Sequence, residues 1–116
     1  MTEIPKEVEQ QVAEFQQVQN QLQLVLIQKQ QTKFQLEELE MAMEELKTAA
    51  GKVYKSTGSV LIESDKETLL KELADRKETL GVRAQVLGKQ EEKLRQRLDE
   101  LRKTIAAAAK GMMGGG

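Results

Sequence analysis

The sequence predicts a mainly α protein, a long antiparallel two-helix coiled coil with a β-hairpin at its centre. Three observations predict it. Apolar residues recur at heptad spacing through most of the 116 residues. A β-branched stretch broken by Gly58 interrupts that spacing at the midpoint. The composition suits long helices better than a globule, with 32% charged and only 3% aromatic residues. The chain is short enough for one domain, 1–116.

The first helix is expected over 5–50. Pro5 is the only proline, tolerated in a first turn where its missing N–H has no partner to lose. From there to residue 50 the chain has neither Pro nor Gly, enough for about 70 Å of helix at 1.5 Å per residue. With Val8 at heptad position a, the a and d positions run Ile4, Val8, Gln11, Phe15, Val18, Leu22, Val25, Lys29, Thr32, Leu36, Leu39, Met43, Leu46 and Ala50. Eleven of these fourteen are apolar. A stripe sustained this long needs a partner helix.

Gly51 is placed to end that helix. The hairpin is expected over 52–63, with strands near Lys52–Ser56 and Ser59–Glu63 and a turn at Thr57-Gly58. Ser64 or Asp65 is the expected cap of the second helix, with Glu67 completing a capping box from Ser64. That helix is expected over 65–109. Its seam is Leu70, Leu73, Lys77, Leu80, Ala84, Leu87, Glu91, Leu94, Leu98, Leu101, Ile105 and Ala108, ten of twelve apolar. The Gly-rich tail 110–116 is expected to be flexible.

Antiparallel coils layer a against d. Folding about Gly58 pairs Leu46 with Leu70, Leu36 with Leu80, Leu22 with Leu94 and Phe15 with Leu101; a slip of one heptad also satisfies the pattern. The polar layers gather mid-coil: Lys29 opposite Leu87, Val25 opposite Glu91, and Thr32 opposite Ala84. Gly81 and Gly88 lie nearby, each costing about 1 kcal/mol against Ala. The middle is therefore expected to be the loosest part, with polar layers that set register or let the coil bend.

Several classes of function are disfavoured. The chain has no Cys and no His, which removes thiolates, disulfides, Cys-type zinc sites, the usual general base and the commonest metal ligand. No catalytic residue, metal site or cofactor is expected. A net charge of −1 and a lack of stacking aromatics argue against nucleic acid. The longest apolar run, Leu24-Val25-Leu26-Ile27, falls far short of the roughly 20 residues a membrane span needs. The N-terminus shows no secretory pattern, and with the absence of Cys this fits a cytoplasmic protein.

The hairpin carries apolar residues on both faces. Val60 and Ile62 point one way and Leu61 the other, and Val53 and Tyr54 alternate likewise. A lone two-stranded hairpin is marginal in water, and two helices supply little cover. The physical solution is several copies or relatives joining hairpins into a shared sheet or barrel. Val53, Tyr54, Gly58, Val60, Leu61 and Ile62 are the candidate assembly residues.

The pattern Val53-Tyr54-Lys55, Gly58, Val60-Leu61 between two heptad helices resembles the prefoldin family, and the resemblance covers nearly the whole chain. A single hairpin, the Gln-rich first helix and the run Lys89-Gln90-Glu91-Glu92-Lys93-Leu94 are similar to the archaeal beta type. One departure is Ala49-Ala50-Gly51-Lys52, where archaeal relatives often carry an acidic loop. The resemblance implies a hexamer of two alpha and four beta subunits whose hairpins form a double β-barrel. It implies ATP-independent binding of unfolded client proteins and their transfer to a group II chaperonin.

Both termini then lie at the coil tip, where Ile4, Val8, Val12, Phe15, Leu101, Ile105, Met112 and Met113 are candidate client contacts once the seam frays. A second candidate surface is the stripe Ile27, Phe34 and Met41, all at heptad position f and widened by Leu26. It faces either the cavity or a neighbouring subunit. The balanced charges from Lys89 to Lys103 read as a solvated helix face. The competing function is a structural or tethering coiled coil that assembles through its hairpin.

Overall fold

The computed structural model describes residues 4–114. The chain runs α1 (Lys6–Thr48), β1 (Val53–Thr57), β2 (Val60–Ser64) and α2 (Lys66–Gly114). Pro5 sits just ahead of α1, and its carbonyl accepts the N–H groups of Val8 and Glu9 at 3.0 and 3.1 Å. Its own missing N–H falls where no helical bond exists to lose.

The hinge between helix and hairpin is closed by charge and backbone geometry. α1 stops at Thr48, two residues short of the expected end; the N–H of Ala49 closes a last tight turn on the Leu46 carbonyl at 3.3 Å. Gly51 then takes φ +90°, which redirects the chain. The Lys66 ammonium donates to the carbonyls of Lys47 at 2.6 Å and Ala49 at 3.3 Å, placing a cation where α1 leaves unpaired acceptors. At the start of α2, Asp65 is the cap. Its carboxylate accepts from Thr68 N–H and Oγ1 at 3.3 and 3.2 Å, and its carbonyl accepts from Leu69 N–H at 2.9 Å. Ser64 is the last residue of β2, so Asp65 with Thr68 takes the place expected of Ser64 with Glu67.

β1 and β2 form a two-stranded antiparallel sheet with Tyr54 opposite Glu63, Lys55 opposite Ile62 and Thr57 opposite Val60. The turn is Gly58-Ser59, one residue later than expected. Gly58 has φ +60° while Ser59 stays at negative φ, the arrangement of a type II′ turn. The pairing moves by two residues, so each side chain keeps its face.

α2 runs well past its expected end. The segment 110–116, expected to be flexible, is helical to Gly114; Gly115 and Gly116 lie outside the described residues. Ala106–Ala109 are strong helix formers, and Gly111 alone costs only about 1 kcal/mol.

The chain divides into two compact units. Unit 1 comprises Met1–Gln28 and Leu87–Gly116, and unit 2 comprises Lys29–Val86. In unit 1, Val18, Leu22, Leu98 and Leu101 form a buried cluster, with Phe15, Leu94 and Ile105 packed against it. That grouping matches the register about Gly58. Glu14 and Arg97 bridge the two helices through a fork of hydrogen bonds at 2.8–3.0 Å. Glu14, and then Glu100, push the Arg97 guanidinium above its ordinary range, so it stays a cation.

In unit 2, Lys77 occupies a seam position yet is exposed, and its ammonium reaches Glu40 at 3.5 Å. A groove has Gln35 and Ala42 on the α1 wall and Arg76 and Arg83 on the α2 wall, again the pairing about Gly58. Thr32 is the one buried polar residue among those described, 3% exposed in a seam layer.

Gly81 and Gly58 make opposite predictions. A Cβ on Gly81 would meet nothing within 4 Å, and its φ is not positive. Gly81→Ala is expected to stabilise the chain by about 1 kcal/mol in denaturant unfolding. Gly58→Ala also meets open space but would hold Ala at φ +60°, and is expected to cost about 1 kcal/mol.

Candidate functional site

The seam alternation that builds each helix pair leaves the hairpin without cover. Tyr54 and Leu61 share one face and Val60 and Ile62 the other. All four are more than half exposed, Leu61 the most at 69%. Of the candidate assembly residues only Val53 is half-buried. Lys55 anchors β1 to α2 through Glu72 at 3.1 Å, and Lys52 pairs with Glu63 at 3.8 Å. These exposed pairs orient the hairpin but bury no apolar surface. Both outer strand edges are unpaired among the described residues, so backbone donors and acceptors are available to another strand.

The end of unit 1 that carries the termini presents a graded surface. Ile4, Val12 and Met112 are exposed. Val8, Phe15 and Ile105 are half-buried. Leu101 is 3% exposed and belongs to the buried cluster, so in this packed state it is a seam residue and no open contact. Its burial follows from its place in the cluster with Val18, Leu22 and Leu98, against which Phe15 packs. The side chain of Met113 lies outside the described residues.

The heptad f positions are open, as expected. In unit 1 Ile27 is exposed, with Leu24 and Leu26 beside it; in unit 2 Phe34 and Met41 are 59% and 65% exposed. Sequence reasoning did not single out Leu24, Val82 and Val86, which are also exposed. The same heptad arithmetic finds them, since 24 and 86 fall at c and 82 at f. No helix among the described residues is long and apolar enough to cross a membrane.

Helices paired along a seam and a hairpin with both faces bare are the features of a coiled-coil subunit with an uncovered sheet. The comparisons with known proteins name the family. The family model for prefoldin subunits matches residues 9–111. The crystal structure of the prefoldin beta subunit from Thermococcus strain KS-1 is similar with a TM-score of 0.84 and 35% identity, over 93% of this chain and 96% of that one. No curated protein sequence matches. The chain belongs to the prefoldin subunit family. Prefoldin is a chaperone family rather than an enzyme family, and membership implies a hetero-oligomeric complex.

The exposures separate residues that the fold buries from residues that it leaves bare. Leu101→Ala is expected to destabilise the chain by about 2–5 kcal/mol in thermal or denaturant unfolding. Leu61→Asp should leave the stability of the lone chain within about 0.5 kcal/mol, with unchanged helical circular dichroism. It should nonetheless fail to enter a complex with an alpha-type subunit, as read by light scattering after gel filtration.

Proposed function

We propose that the chain is a beta-type subunit of a hexamer with two alpha and four beta chains, which holds unfolded polypeptides without ATP and passes them to a group II chaperonin in the cytoplasm. The observation that carries the reading is the bare hairpin, whose two apolar faces and two free edges suit strand sharing in a barrel. Family membership and the similarity to a prefoldin beta subunit support it.

Capture is assigned to the terminal end of unit 1. Ile4, Val12 and Met112 are available in the packed state. Val8, Phe15, Leu101, Ile105 and Met113 extend the surface when the last seam layers part. Such a surface suits clients that share apolar character but no fixed sequence. Met conforms to varied shapes, and a few exposed side chains make weak contacts that release. Hydrolysis is not required, because binding and release follow from affinity alone. The Ile27, Phe34 and Met41 stripe is a second open surface on the same chain.

The tethering alternative uses the same hairpin but needs no client surface, so one experiment separates the two. The chain and an alpha-type partner are mixed with a chemically denatured client and aggregation is followed by light scattering without nucleotide. Suppressed aggregation is expected, and the variant combining Ile4→Ser, Val12→Ser and Met112→Ser should suppress it less while forming a complex of unchanged mass. Equal aggregation with and without the assembled complex would leave only the tethering reading.

A further inference from the structure

The outer face of α1 in unit 2 has an order of its own. Phe34, Glu38, Met41 and Glu45 follow one another at steps of four, three and four residues, the spacing that stacks side chains along one helix face. Apolar and acidic groups therefore alternate on that face, with Phe34 and Met41 about 10 Å apart along the axis. A shallow depression beside Met41 is lined by Glu37, Glu40, Glu44 and Glu45. Two of those carboxylates are engaged, Glu40 with Lys77 at 3.5 Å and Glu44 with Lys47 at 3.6 Å. Among the described residues Glu37, Glu38 and Glu45 have no ion pair.

We propose that this face docks segments of non-native polypeptides in which basic residues alternate with apolar ones. The proposal rests on the chaperone reading above and names a chemical class of client for it. Charge complementarity carries it. An apolar side chain that reaches Met41 must pass among carboxylates, and one that reaches Phe34 meets Glu37 and Glu38 one turn on, with Lys33 beside it on the other side. A segment bearing Lys or Arg brings the opposite charge to that point, and its methylene stems cover apolar surface as well. An acidic segment meets like charge instead. So does a second copy offering the same face, which would bring a second set of carboxylates to the same patch.

The test uses the assembled complex with its alpha-type partner and two fluorescein-labelled peptides of equal length, one alternating leucine with lysine and the other leucine with glutamate. Anisotropy is expected to show binding of the lysine peptide, weakened in about 0.5 M salt, and little binding of the glutamate peptide. The triple variant Glu37→Gln, Glu38→Gln, Glu45→Gln should bind the lysine peptide about tenfold more weakly, as should Phe34→Gln with Met41→Gln. Circular dichroism and complex mass should be unchanged in both variants. Equal binding of the two peptides overturns the proposal, as does unchanged binding by both variants. A triple variant that no longer assembles also overturns it, because the face is then a subunit contact. A complex that suppresses aggregation but does not discriminate the peptides sinks this inference alone. A complex that suppresses nothing sinks the capture reading with it.

Discussion

Everything in this chain follows from a core that is only two residues wide per heptad. Packing the a and d positions of one helix against those of another removes little apolar area, but it repeats. In unit 1 the layers around Val18, Leu22, Leu98 and Leu101 supply a dry cluster from medium-sized aliphatic side chains. That geometry explains the scarcity of aromatics, because a ring has no deep interior to fill. Phe15 lies at the edge of the cluster and is only half-buried, whereas Leu101 is nearly sealed. A seam of this kind fixes register cheaply and leaves most of each helix surface unconstrained.

The hairpin is the opposite case. It has strand propensity, a type II′ turn set by Gly58 and a full ladder, yet no core. The local devices around it are electrostatic. Lys66 holds the end of α1, Asp65 starts α2, and Lys55 ties β1 to Glu72. Each contributes at most about 1 kcal/mol at such exposure. Together they aim the hairpin without satisfying it. Four large apolar side chains on two faces remain in water, a state that a solitary chain gains nothing by preserving. The fold makes sense when the missing cover comes from other chains, as family membership implies.

The parts legible in the sequence were those governed by long repetition. The seam could be read residue by residue because a heptad error would accumulate over many turns and expose apolar residues. The parts that failed or were left open were decided by one residue or by a small energy. Gly58 can take positive φ at either central turn position, so the sequence allowed Thr57-Gly58 as readily as Gly58-Ser59. Both Ser64 and Asp65 are good caps, and only the length of β2 settles the choice in favour of Asp65. Gly111 suggests an end to α2, but its cost is small beside the propensity of the alanines before it. The exposure of Leu24, Val82 and Val86 also follows from the heptad frame, because none of the three falls at a seam position.

The freedom of the outer positions gives the f stripe its meaning. Neither Phe34 nor Met41 touches the seam, so the coil would fold equally well with Gln or Lys at both places. Apolar side chains kept in water add a tendency to associate, and a subunit proposed to hold unfolded chains has most to lose from sticking to its own kind. Carboxylates placed between the apolar groups resolve that conflict. They repel a second identical face while leaving the apolar groups open to a partner of opposite charge. The selectivity this produces comes from electrostatic exclusion as much as from attraction, and it requires no shape complementarity. That is the kind of recognition an unfolded client permits, since such a client offers composition and alternation but no fixed surface.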